Sequence, residues 1–126
     1  MTGSVTAAVA LACVAVAILS PLPLAPQPAV AATTKTCDLT HDARRLGPTY
    51  VTSLKVRNVS CTIGRQIVRD YYRCRVHAGG VSGRCRAQVH HYRCSEHREG
   101  IAIQFDAKVV CTRGTRRVTH TYTQDT

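Results

Sequence analysis

The chain has 126 residues, with 17 Lys and Arg against 7 Asp and Glu, and a formal net charge of +10. That length allows one small domain and excludes a multi-domain enzyme. All the charge lies after residue 32, so the folded part carries the whole positive field and will attract anions. Fourteen of the basic residues are Arg, whose guanidinium forks onto phosphate and carboxylate. A GC-rich genome, which favours Arg and Ala codons, accounts equally well for that bias.

In chain order, residues 7–19 (AAVALACVAVAIL) form an apolar run of export-signal length. A Pro-rich tract follows, then Ala29-Val30-Ala31, a small-x-small cleavage pattern. The run is shorter than the roughly 20 residues a membrane span needs. The expected product is a leader over 1–32, cut near Ala31 or Ala32, and a secreted domain over 33–126. The leader lacks the usual Lys or Arg at its start, which points to a start codon further upstream or to inefficient export. An uncleaved anchor is the second reading, and lipid attachment at Cys13 the third.

Thr33 to Pro48 has no periodicity and reads as an extended arm held by Cys37. Tyr50 to Val56 alternates as a strand, with Thr52, Leu54 and Val56 on one face. Asn58-Val59-Ser60 forms a turn in which Ser60 can cap a helix. From Cys61 the period becomes helical: Ile63, Ile67 and Tyr71 share a stripe with Gly64 and Val68. Arg65, Arg69 and Arg73 lie off it, and the helix is expected to end near Cys74. Ala78 to Gly83 is a flexible loop. Arg86 to Cys94 is a weak strand candidate. Ile101 to Cys111 is a strong one, with Ile101, Ile103, Phe105, Ala107, Val109 and Cys111 in phase. Arg113-Gly114-Thr115 turns into a last strand, Arg116 to Thr123. The order β-α-β-β-β predicts an α+β unit with one helix laid on an antiparallel sheet.

Cys37, Cys61, Cys74, Cys85, Cys94 and Cys111 make an even set behind an export signal, which reads as three disulfides. Cys61 and Cys74 at opposite ends of one helix would stand about 20 Å apart, beyond the roughly 7 Å that a bridge spans. Twelve of the fifteen pairings remain. The favoured set is Cys37–Cys61, Cys74–Cys85 and Cys94–Cys111, although a tight hairpin would set Cys94 opposite a residue nearer Ala102.

The stretch Leu54 to Val68 (LKVRNVSCTIGRQIV) and the later Cys111-Thr112-Arg113-Gly114 resemble a pattern in small exported proteins of high-GC actinobacteria. That resemblance implies architecture and export, and no activity. The richness in Arg and His and the extra pair Cys74 and Cys85 depart from it.

Four constellations bear on chemistry. His90, His91, Cys94 and His97 form H-H-x-x-C-x-x-H, and imidazole with thiolate suits zinc. On a regular strand His90 and His91 would face opposite sides, and a disulfide claims Cys94, so neither metal nor cofactor is expected. His91 and His120, with Arg93 or Arg116 as phosphate clamp, supply the acid, base and cation of a ribonuclease-type hydrolase if their strands adjoin. No G-x-S-x-G, P-loop or H-E-x-x-H is present. Arg65, Arg69 and Arg73 on the helix, with Arg113, Arg116 and Arg117 near the last turn, are the candidate anion-binding set, and Tyr71, Tyr72 and Tyr92 are the few aromatics available to stack. The loop Gly79 to Arg84, pinned by Cys74 and Cys85, is a candidate protein-binding loop. The expectation is a monomeric, non-enzymatic basic protein acting outside the cytoplasmic membrane. Its partner is an anionic polymer or a protein, with an anionic lipid surface and nucleic acid among the candidates. The alternative is the small hydrolase using His91 and His120.

Overall fold

A computed structural model describes residues 31–126, together with Gly3 and residues 25–27. The expected leader lies almost wholly outside the described residues. Strands β1 (Thr34–Thr36), β2 (Tyr50–Arg57), β3 (Arg93–Ile101), β4 (Gln104–Arg113) and β5 (Arg116–Asp125) form one sheet in the order β1-β2-β5-β4-β3. All neighbours are antiparallel. Helix α1 (Cys61–His77) packs on one face, and a single 3₁₀ turn (Gly80–Ser82) follows it. This is the α+β two-layer unit expected, with a short edge strand added from the N-terminal arm.

Each element has a local cause. The Ser60 hydroxyl accepts from the Ile63 amide at 3.2 Å and caps α1. The buried stripe of the helix is Gly64, Ile67, Val68, Tyr71 and Arg75, at the spacing of one helical face. Arg75 continues the stripe beyond Cys74, which is why the helix runs to His77. Ile63 lies at its margin and is partly exposed. Gly64 lets the helix approach β2 closely, since a Cβ there would meet Val56 Cγ1 at 2.7 Å. Leu54, Val56, Val109, Val118 and Tyr122 form the sheet's side of the core, and Leu46 from the arm closes it. Each such apolar side chain contributes about 1.5–3 kcal/mol by burial.

The third strand lies where the sequence did not point. Residues 86–92 are not a strand: Val89 and Tyr92 pair around His90 (φ 49°) and His91 (φ 64°), a two-residue turn. β3 starts at Arg93 and runs to Ile101, and Ala102 and Ile103 form the turn into β4. Ile101 and Ile103 are therefore not core residues, with exposures of 66% and 68%. This register sets Cys94 opposite Cys111 and removes the difficulty with that bridge.

The disulfides are Cys37–Cys61, Cys74–Cys85 and Cys94–Cys111, with Cα separations of 5.6, 5.1 and 4.0 Å. Bridges of this kind contribute about 2–4 kcal/mol each to a small domain, and three of them fit an extracellular protein. No helix among the described residues is long and apolar enough to cross a membrane.

The loop after the helix is held, not loose. Gly83 lies so close to the helix end that a Cβ there would sit 2.1 Å from the Arg75 carbonyl oxygen. Gly83→Ala is expected to destabilise the domain by at least about 2 kcal/mol, as overpacking against backbone does. A denaturant midpoint equal to wild type would refute that account.

Candidate functional site

Pairing partners in adjacent strands share a face, so the register sorts the sheet into rows. On the inner face the rows include Val56, Val118 and Cys111, then Leu54, His120, Val109 and Glu96, then Val51, Tyr122, Ala107 and Arg98. On the outer face, which no helix covers, one row reads Thr34, Arg57, Arg117, Thr112, Arg93 across all five strands. The next reads Thr36, Lys55, Thr119, Val110, Ser95, and the third contains Ser53, Thr121, Lys108 and His97. The outer face is thus a flat array of cations and hydroxyls. Lys55, Arg57, Lys108 and Arg117 line one shallow groove of about 330 Å³.

The β4–β5 turn joins this face to a second concavity. Arg113 and Arg116 face each other across a two-residue turn, Gly114-Thr115, with Gly114 at φ 56°. They line a cleft of about 360 Å³ with His90, Tyr92, Gln66 and the Asn58-Val59-Ser60 turn. No carboxylate stands within ion-pair distance of Arg57, Arg93, Arg113, Arg116 or Arg117 among the described residues.

The helical stripe differs. Arg65 is paired with Asp42 at 2.7 Å and donates to the Asp38 carbonyl at 2.6 Å. Arg73 is paired with Asp70 at 2.9 Å. Of Arg65, Arg69 and Arg73, only Arg69 stands exposed without a carboxylate among the described residues. The basic set suggested by the sequence therefore divides: Arg113, Arg116 and Arg117 cluster, and Arg65 and Arg73 are largely neutralised on another face.

Arg57, Lys55 and Lys108, absent from the set expected from sequence, join the cluster, and so does Arg93, expected both as a phosphate clamp and as one of the arginines adding charge around the loops and last strands. Their signal was the face of each strand opposite the apolar one: Lys55 and Arg57 alternate with Leu54 and Val56.

The structure does not bring His91 and His120 together. His91 sits exposed in the tight turn of residues 89–92, not on a strand. His120 is 1% exposed under the helix, edge-on to Tyr71 at 5.7 Å. Burial, with the positive charge of Arg75 behind it, holds its imidazole down at about 3. A base that substrate cannot reach has no part in acid–base catalysis.

His90 pairs with Asp70 and His97 with Glu99, and Cys94 is in a disulfide. Among the described residues no group of three or more His, Cys, Asp or Glu is placed to hold a metal.

Beneath the inner face lies a polar node. Arg75, with no exposure, donates to the Val81 carbonyl at 2.9 Å and to Gln124 Oε1 at 3.0 Å. Its guanidinium lies over the Tyr122 ring at 4.6 Å. Arg98 donates to the carbonyls of Ser82 and Gly83 and pairs with Glu96 at 3.0 Å. Glu96 also accepts from the Tyr122 hydroxyl. The loop Gly79 to Arg84 is thus tied at three successive carbonyls. Comparison with protein families, with curated proteins and with solved structures finds no match for this chain.

Proposed function

We propose that this protein is an exported, monomeric, non-enzymatic domain that binds an anionic polymer outside the cytoplasmic membrane. The observation that carries the reading is the clustering of Arg57, Arg93, Arg113, Arg116 and Arg117 at one end of the sheet without carboxylate partners among the described residues. Guanidiniums at a surface without carboxylate partners exchange counterions for phosphates or carboxylates, and the released ions drive binding. Three disulfides and a sheet scaffold hold the cations in place, so little ordering cost opposes binding.

The test is affinity for a polyanion as a function of salt. Five contacts predict a loss of roughly 10²–10³ in affinity between 50 and 200 mM salt. Arg57→Gln, Arg93→Gln, Arg113→Gln, Arg116→Gln and Arg117→Gln together should remove most of that dependence, and Arg65→Gln with Arg73→Gln should leave most of it. Salt-independent binding, or turnover of RNA that His91→Ala abolishes, would overturn the reading.

A further inference from the structure

We propose that the bound polymer lies across the strands, along the row Arg57, Arg117 and Arg93, and that it is a phosphate chain rather than a single-stranded nucleic acid. The inference rests on the polyanion-binding reading above and adds its direction, footprint and chemical class.

The direction follows from how charge is distributed on the outer face. Arg57 and Arg117 are direct partners, and Thr112 lies between Arg117 and Arg93. With strands about 4.8 Å apart, the row from Thr34 to Arg93 spans about 19 Å and meets no acid. Along β4 the field reverses. On β4 the outward residues run Thr112, Val110, Lys108, Asp106, and Asp106 stands opposite Glu99. Thr112 to Asp106 covers about 20 Å, so a polymer of similar length laid along β4 would start among arginines and end on two carboxylates. The crossing row carries three guanidiniums and no acid, so it keeps the anionic groups of the chain in a positive field.

The class follows from what the row lacks. Single-stranded nucleic acids gain much of their affinity by stacking bases on aromatic side chains. The outward rows from Thr34 to His97 contain no Phe, Tyr or Trp. Tyr50 is at the acidic end, opposite Thr123. Thr34 and Thr112 instead offer hydroxyls beside the guanidiniums, a donor set for the oxygens of a phosphate chain.

The experiment uses the exported chain from about Thr33, with inorganic polyphosphate and a single-stranded oligothymidylate of equal charge as probes, titrated across salt. Arg57→Gln, Arg93→Gln and Arg117→Gln should each lower the salt slope for polyphosphate by about 0.7, the contribution of one contact to a flexible chain. Asp106→Asn, Glu99→Gln and Arg69→Gln should leave it unchanged. Tripolyphosphate, too short to span the row, should bind at least tenfold more weakly than the long polymer. Thermal melts of each variant verify folding, which exposed substitutions seldom disturb. If the row variants keep the wild-type slope while polyphosphate still binds, the direction is wrong and the broader reading stands. If the oligothymidylate binds more than tenfold tighter than polyphosphate, the class is wrong. If neither probe binds, both readings fail.

Discussion

Arg75→Ala is expected to lower stability by about 3–5 kcal/mol, the range for emptying a buried site and breaking its polar contacts. Burial pushes the Arg75 guanidinium below its ordinary pKa, with Tyr122 and Glu96 acting against that. No carboxylate pairs with it directly among the described residues. Its charge is met by the Val81 carbonyl, the Gln124 side chain and the face of Tyr122. Truncation leaves a void beneath the helix end and orphans both acceptors, each costing about 1–3 kcal/mol if left buried. For a domain of this size the melting temperature should fall by more than about 12 °C. Arg75→Met separates the contributions, since Met fills the space without donating. It should recover part of the loss, yet still speed amide exchange at Val81 to Gly83. A loss below 1 kcal/mol in Arg75→Ala would show that the node does not hold the loop.

Acid is expected to destabilise the protein through His120. Its folded pKa lies at about 3, against roughly 6.5 in an unfolded chain. Between these values the unfolded chain binds a proton that the native state refuses, so stability falls as pH falls. The slope approaches about 1.4 kcal/mol for each pH unit below 6.5, and above 6.5 the contribution is constant. His120→Leu, close in volume, should flatten stability between pH 6.5 and 4.5, whatever its effect at neutral pH. Denaturant midpoints at three pH values decide the matter. An unchanged slope in His120→Leu would place the acid sensitivity in the carboxylates.

Much of the scaffold was legible because its periodicities are clean. The cap at Ser60, the stripe from Gly64 to Tyr71 and the turn at Gly114 are local signals, and each folds as its pattern says. The alternation of Tyr50 to Val56 holds for Leu54 and Val56 but slips at a bulge between Val51 and Ser53, which buries Val51 and leaves Thr52 exposed beside Thr121. β3 was not legible because its inward positions are Cys94, Glu96 and Arg98, two of them charged, so no apolar alternation marks it. The buried pair that does appear nearby, Val89 and Tyr92, belongs to a turn. Ile101 and Ile103 prolonged the β4 pattern through a hairpin bend. Arg75 carries no mark of its burial in the sequence because nothing local announces that Gln124 and the Val81 carbonyl await it. The basic row was hidden for a different reason. Each of its residues is plain in the chain, but placing Arg57 beside Arg117 depends on a strand pairing between residues about half the chain apart.

That pairing governs when the molecule can exist at all. β5 comes last among the strands in chain order, yet it lies at the centre of the sheet, between β2 and β4. It supplies Val118, His120 and Tyr122 to the floor under the helix. A chain made from its N-terminus therefore has only part of a floor for its helix, Leu54 and Val56 of β2, and no partner for most of β2 until nearly all of it is made. Such long-range closure is slow compared with local hairpins. Until then the sheet cannot close, and the last-made strand is the one that locks the fold.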